Sequence, residues 1–92
     1  MNKEMRALRE GLTAAGIEWY DDSTIISDNT GITRTKFVNK YGEKCSVIYG
    51  VGVSYGWNEG LLESMPPVHL NNYYGDEVEG WLTANDIIEA WI

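Results

Sequence analysis

CSVIYGVGVSYGWNEG, residues Cys45–Gly60, holds four of the chain's ten glycines and none of its lysines or arginines. Gly50, Gly52 and Gly56 give the spacing G-x-G-x-x-x-G, a loose relative of the dinucleotide fingerprint. A true fingerprint opens a helix inside a βαβ unit of about 30 residues. Here the glycines continue a two-residue alternation, and Pro66 and Pro67 follow within eleven residues of Gly56. No Walker lysine is present, and no cation is at hand to balance a phosphate. The alternation therefore decides the reading. Odd positions are Cys45, Val47, Tyr49, Val51, Val53 and Tyr55, one large continuous face. Even positions are Ser46, Ile48, Gly50, Gly52, Ser54 and Gly56, nearly bare past Ile48. Glycine weakens a strand, so a glycine face needs a local reason. Either a helix or ligand approaches the backbone there, or the strand bends or bulges at Gly50 and Gly52. A sheet element is expected, bent at the glycines, with a helix crossing close to its bare face.

The flanking segments complete an α+β pattern. Met1, Met5, Leu8, Leu12 and Ala15 recur at spacings of four and three, the stripe of an amphipathic helix, with Lys3, Arg6, Arg9 and Glu10 off it. Gly16 is a natural stop for that helix. Ile17–Tyr20 and Thr24–Ser27 read as short strand pieces separated by a turn at Asp21–Ser23, and Asp28–Gly31 is a turn signal. Ile32–Val38 alternates Arg34 and Lys36 against Thr33, Thr35 and Phe37, a half-buried strand. Asn39–Lys44 closes a hairpin. Asn58–Met65 reads as a short middle helix or turn ended by the prolines. Val68–Tyr74 is either a loop or an irregular strand, Gly75–Asp76 turns the chain, and Val78–Leu82 is a last strand with Val78 and Trp81 pointing inward. Thr83 with Asp86 three residues later opens a closing helix through a capping box, and Leu82 with Ile87 fits a hydrophobic staple.

With 92 residues the chain makes one domain, residues 1–92. At this size roughly 60–65% of the unfolded surface is buried, a modest core with no room for a second catalytic domain. The expected fold is α+β: a small antiparallel sheet of three to five strands with an N-terminal, a short middle and a C-terminal helix. No stretch approaches the roughly 20 apolar residues of a membrane span. The charged MNKEMRALREG start lacks the apolar core of a signal peptide. One cysteine makes no internal disulfide, so a cytoplasmic setting is expected.

The net charge of −7 is unevenly spread. All seven basic residues lie between Lys3 and Lys44, balanced there by seven acids. From Cys45 to Ile92 there are seven acids and no lysine or arginine. Direct nucleic-acid binding is not expected, because its usual driving force is cations neutralising phosphates. A basic partner is the better electrostatic match. Solubility alone also accounts for an acidic surface.

The chemical candidates are few. Cys45 as nucleophile, His69 as base and Asp76 as orienter have nothing in their spacing to bring them together. Cys45 on the large face of a strand reads as an inert buried thiol. Asp21, Asp22 and Asp28, or Asp76, Glu77 and Glu79, offer carboxylates to a hard cation but follow no EF-hand pattern. No catalytic residue, metal site or cofactor is assigned. The set that stands out combines aromatics with acids in the cation-free half: Trp57, Asn58, Glu59, Glu63, Tyr73, Tyr74, Asp76, Glu77 and Glu79, with Trp81 nearby. Aromatic anchors ringed by charge are what protein interfaces use, though a small core also consumes aromatics.

LREGLTAAGIEWYDDS (Leu8–Ser23), GITRTKF (Gly31–Phe37), YGVGVSYGWNEGLLE (Tyr49–Glu63) and GWLTANDII (Gly80–Ile88) together cover more than half the chain. In these stretches it resembles small acidic accessory proteins of phages and prophages in gut Firmicutes. The resemblance carries no activity, cofactor or catalytic residue. It implies an accessory phage product, a class that includes inhibitors of host enzymes and defence systems. The expected function is a small acidic protein-binding module that occludes a basic surface of a host protein, as a monomer or weak homodimer. Two alternatives stay open. One is a structural homodimer formed through an exposed edge such as Thr24–Ser27. The other is a ligand-binding or enzymatic domain centred on Gly50–Gly60.

Overall fold

A computed structural model describes residues 1–27, 30–70, 73–74 and 77–92. The chain runs α1 (Lys3–Ala14), β1 (Trp19–Asp21), β2 (Thr24–Ser27), β3 (Thr30–Val38), β4 (Lys44–Gly50), a 3-10 turn (Trp57–Glu59), β5 (Leu62–Met65), β6 (Tyr73–Tyr74), β7 (Glu79–Leu82) and α2 (Ala84–Trp91). This is the expected α+β architecture. All strand pairs are antiparallel, in the order β1-β3-β4-β5-β7-β6. β1 and β2 share one edge position, each pairing with a different half of β3. The sheet thus has five main positions, with the two-residue β6 added beside β7.

α1 starts where Asn2 accepts a hydrogen bond from Met5 N at 2.9 Å. It ends in a Schellman turn: Gly16 takes φ +74°, and Ile17 N reaches Leu12 O at 2.9 Å. α2 carries the expected capping box, with Thr83 Oγ1 on Asp86 N and Asp86 Oδ2 on Thr83 N. Glu4 of α1 accepts from Ala84 N at 2.8 Å, so one helix satisfies the open end of the other. At Gly11 the helices are in close contact: a Cβ there would stand 2.5 Å from Ile88 Cδ1. That contact is why a glycine is tolerated inside α1.

Both helices lie on one face of the sheet. Met5, Leu8, Leu12, Ile87 and Trp91 meet Phe37, Cys45, Val47, Leu62 and Leu82 in a single cluster. Fully burying side chains of this size stabilises the fold by about 1.5–3 kcal/mol each. Phe37 and Trp91 pack edge to face at 5.9 Å. Along β3 and β4, Thr35, Phe37, Cys45 and Val47 point into this core, as their alternation requires. Buried Asn39 shapes the β3–β4 hairpin by accepting from Tyr41 N and Glu43 N.

The structure adds to the sequence reading at several points. Arg9 lies off the apolar stripe yet is buried, 7% exposed. Its Nε donates to Thr35 Oγ1 at 2.8 Å, its guanidinium reaches Arg34 O and Asp21, and it lies 4.8 Å over the Trp19 ring. The long aliphatic stem lets a charged group cross the helix–sheet seam and still find acceptors. The expected short middle helix or turn is present as a 3-10 helix at Trp57–Glu59, but it is shorter than Asn58–Met65, whose second half is β5. The run from Cys45 leaves the sheet at Gly50, so Val51, Val53 and Tyr55 do not extend a packed face. Finally, the element that comes close to these glycines is not a helix: β7 meets Gly56, β3 meets Gly50, and nothing lies within 4 Å of a Cβ at Gly52. Of the turn expected at Asp28–Gly31, Thr30 and Gly31 belong to β3, while Asp28 and Asn29, like the expected turn at Gly75–Asp76, lie outside the described residues.

Candidate functional site

Beyond β4 the chain coils on itself. Val53 N and Ser54 N both donate to Gly50 O, and Ser54 Oγ accepts from Gly50 N at 2.9 Å. Trp57 N donates to Ser54 O, Leu61 N to Gly56 O and Gly60 N to Trp57 O. Gly52, Gly56 and Gly60 take φ of +75°, +96° and +74°. These left-handed positions are what the glycines supply, and they turn the strand into a loop bonded to itself.

β7 clasps this loop. Leu62 pairs with Leu82 and Ser64 with Glu79, so Gly80 and Trp81 together oppose Glu63 alone. The extra residue is a β-bulge. Trp81 takes φ +55°, which for a bulky residue costs about 1–2 kcal/mol. Its N–H donates to Tyr55 O at 3.3 Å, and its ring stacks on Tyr55 at 6.0 Å and 20°. Glu63 Oε1 accepts from Tyr55 N at 2.9 Å, so both backbone groups of Tyr55 are held by the sheet. The approach needs glycine on both sides. A Cβ on Gly56 would stand 2.9 Å from Trp81 N, and one on Gly80 would stand 2.8 Å from Tyr55 O.

The clasp leaves large side chains outside. Val51, Val53, Tyr55 and Trp57 are 56%, 45%, 41% and 39% exposed. Trp57 is held at its base by Tyr49 Oη, which donates to Trp57 O at 2.9 Å. Asn58 and Glu59 follow on the exposed 3-10 turn, and Glu77 is exposed as well. Trp57, Asn58 and Glu59 therefore sit together, as the sequence suggests. Glu63 is half-buried and committed to the loop. Tyr73 and Tyr74 pair with Gly80 and Glu79 as strand β6, and Asp76 lies outside the described residues.

Glu79 is the clear departure from the expected acidic face. It is 0% exposed. Its carboxylate accepts from His69 N at 2.6 Å and from Leu70 N at 3.0 Å. A carboxylate inside the protein needs such donors, and here they fix the segment after the prolines. Glu79 is thus an internal anchor, not a docking residue. His69, at φ +65°, contributes its backbone to that anchor. Cys45 is 3% exposed, and burial, aided by Glu43, pushes its thiol up to about 11. A thiol so protonated is a poor nucleophile near neutrality. Asp21 is engaged by Ser23 and Arg9, and Asp22 by Lys36 and Arg34. No group of three His, Cys, Asp or Glu residues suited to a metal occurs among the described residues.

The sequence pattern missed Val51, Val53 and Tyr55 as surface residues, because their alternation matches that of a strand. The glycine density was the better signal: four in the eleven residues 50–60 exceed what a strand accommodates. No helix among the described residues is long and apolar enough to cross a membrane. Comparison with protein-family models, curated proteins and solved structures found no match to this chain.

Proposed function

We propose that this chain is a stoichiometric protein-binding module that docks through the clasped loop 51–59. The observation that carries the reading is the exposure of Val51, Val53, Tyr55 and Trp57 on a loop that is bonded internally and to β7. Large apolar groups held rigid before binding lose little entropy on docking, which is how aromatic anchors supply affinity. Glu59 and Glu77 add negative charge in a half of the chain without lysine or arginine. The complementary partner presents an apolar pocket rimmed by lysine or arginine, and the carboxylates steer the encounter. The resemblance to accessory phage proteins supports a host enzyme or defence complex in the cytoplasm as that partner, inhibited by occlusion.

The test is a capture experiment from host cytosol with four forms: wild type, Trp57→Ala, Glu59→Lys/Glu77→Lys, and Lys3→Glu at an exposed position of α1 as a surface control. The expected outcome is a protein held by wild type and Lys3→Glu and lost from Trp57→Ala. In the charge-reversed form its association slows and loses most of its salt dependence. Equal capture by all four forms overturns the proposal.

A further inference from the structure

The sheet face turned away from the helices has a different chemistry. Strand register aligns Tyr20, Lys36, Ser46 and Met65 in one row across β1, β3, β4 and β5. The next row is Arg34, Ile48 and Glu63, and Val38 stands opposite Lys44 on the other side. Thr35, Phe37, Cys45 and Val47 face the core, so their neighbours along β3 and β4 face outward. Tyr20, Val38 and Met65 are 59%, 51% and 47% exposed. A hollow of about 360 Å³ lies among Tyr20, Lys36, Val38, Lys44 and Met65. A second, of about 290 Å³, shares Lys36, Ser46 and Met65 with it and reaches Arg34 and Glu63. Together they make one groove across the strands.

The charge of this groove runs against that of the chain. The protein has 14 acids and 7 bases, yet the larger hollow is lined by two lysines and no carboxylate. Every lysine or arginine outside α1 belongs to the β3–β4 hairpin: Arg34, Lys36, Lys40 and Lys44. Asp22 takes Lys36 at 2.9 Å and Arg34 at 3.7 Å, which shows that carboxylates can reach these side chains. Lys44 makes no ion pair among the described residues.

We infer that the groove binds an extended, acidic segment of a partner protein. Its apolar side chains lie over Tyr20, Val38 and Met65, and its carboxylates meet Lys36 and Lys44. Three strand spacings, from β1 to β5, measure about 14 Å, the reach of about four extended residues. A nucleic acid fits less well, since the groove offers too few cations to neutralise a run of phosphates. The inference stands apart from the docking loop, which uses other residues of opposite charge.

The experiment is an amide NMR titration with a blocked hexapeptide of alternating glutamate and leucine. A lysine–leucine hexapeptide and oligothymidine are the comparison probes, and sedimentation is run over the same concentrations. The expected result is that the amides of Lys36, Lys44 and Ser46 shift with the glutamate peptide only. Affinity should fall about tenfold in Lys36→Glu/Lys44→Glu, about what removing two rim charge contacts gives. It should be unchanged in Trp57→Ala. Dispersed spectra check that the variants are folded. Four results overturn the inference: no shift at millimolar peptide, equal shifts with the lysine peptide, shifts with oligothymidine instead, or shifts on concentration alone with a dimer in sedimentation.

Discussion

Gly52, Gly80 and Gly56 stand in the loop and its clasp for three separable reasons, and alanine at each isolates one. At Gly52, φ is +75° and a Cβ would meet nothing within 4 Å. Only conformation opposes alanine there: about 1–2 kcal/mol for the left-handed state, less a few tenths recovered from a stiffer unfolded chain. Gly80 has no positive φ, but its Cβ would overlap Tyr55 Cβ and stand 2.8 Å from Tyr55 O. Its cost is steric, about 1–3 kcal/mol when a packed contact is overfilled. Gly56 combines φ +96° with Trp81 N at 2.9 Å and Trp81 Cα at 3.0 Å, both backbone atoms unable to rotate away. The two costs add to about 2–5 kcal/mol. For a domain of this size, 1 kcal/mol corresponds to about 4–8 °C in Tm. Gly52→Ala should therefore lower Tm by roughly 5 °C and Gly56→Ala by at least about 10 °C, with Gly80→Ala between. Thermal melts by circular dichroism give the ranking, and hydrogen exchange at Trp81 N reports the clasp itself. Exchange there should quicken in Gly56→Ala and Gly80→Ala and stay slow in Gly52→Ala. The double variant Gly56→Ala/Gly80→Ala should cost less than the sum, since one contact is lost once. If Gly52→Ala proves as damaging as Gly56→Ala, the loop is not held by β7 and the argument for a rigid docking surface fails.

Arg9→Met removes a buried guanidinium bonded to Thr35 and Arg34 O, and should cost about 2–3 kcal/mol in urea unfolding. Glu79→Ala strands the His69 and Leu70 amides and should cost about 2–4 kcal/mol, with those two amides losing exchange protection first. Cys45 should resist a thiol reagent at neutral pH until the protein unfolds. Because its folded value of about 11 lies above the ordinary 9.0, the stability it contributes is complete below 9 and lost as pH rises toward 11. Stability measured from pH 8 to 11 in wild type and Cys45→Ser checks this. The Lys36 hydrogen bond and charge hold the Asp22 carboxyl below its ordinary 3.8, so its contribution is present above that value and lost as pH falls through the lower folded one. A carboxyl-carbon NMR titration should place its midpoint below 3.8 in wild type and closer to 3.8 in Lys36→Met.

The sequence by itself determined the elements whose signals are local. The stripe Met5–Leu8–Leu12, the stop at Gly16, the Thr83–Asp86 box and the alternation along Thr33–Phe37 each act within a few residues, so pattern and structure agree. The charge division at Lys44 and the inert Cys45 were legible for the same reason. What the tertiary structure decided depends on partners distant in the chain. Arg9 is buried because Thr35 and Arg34 O wait across the seam, 26 and 25 residues away. Glu79 is internal because the backbone after Pro67 turns its amides toward it. The glycines of residues 50–60 were first legible as a strand's bare face, since left-handed turns and extended alternation leave the same letters. Only the approach of β7 separates them: Gly56 lies against Trp81 and Gly80 against Tyr55, contacts that a Cβ on either glycine would overlap, while Tyr55 and Trp57 keep exposed side chains.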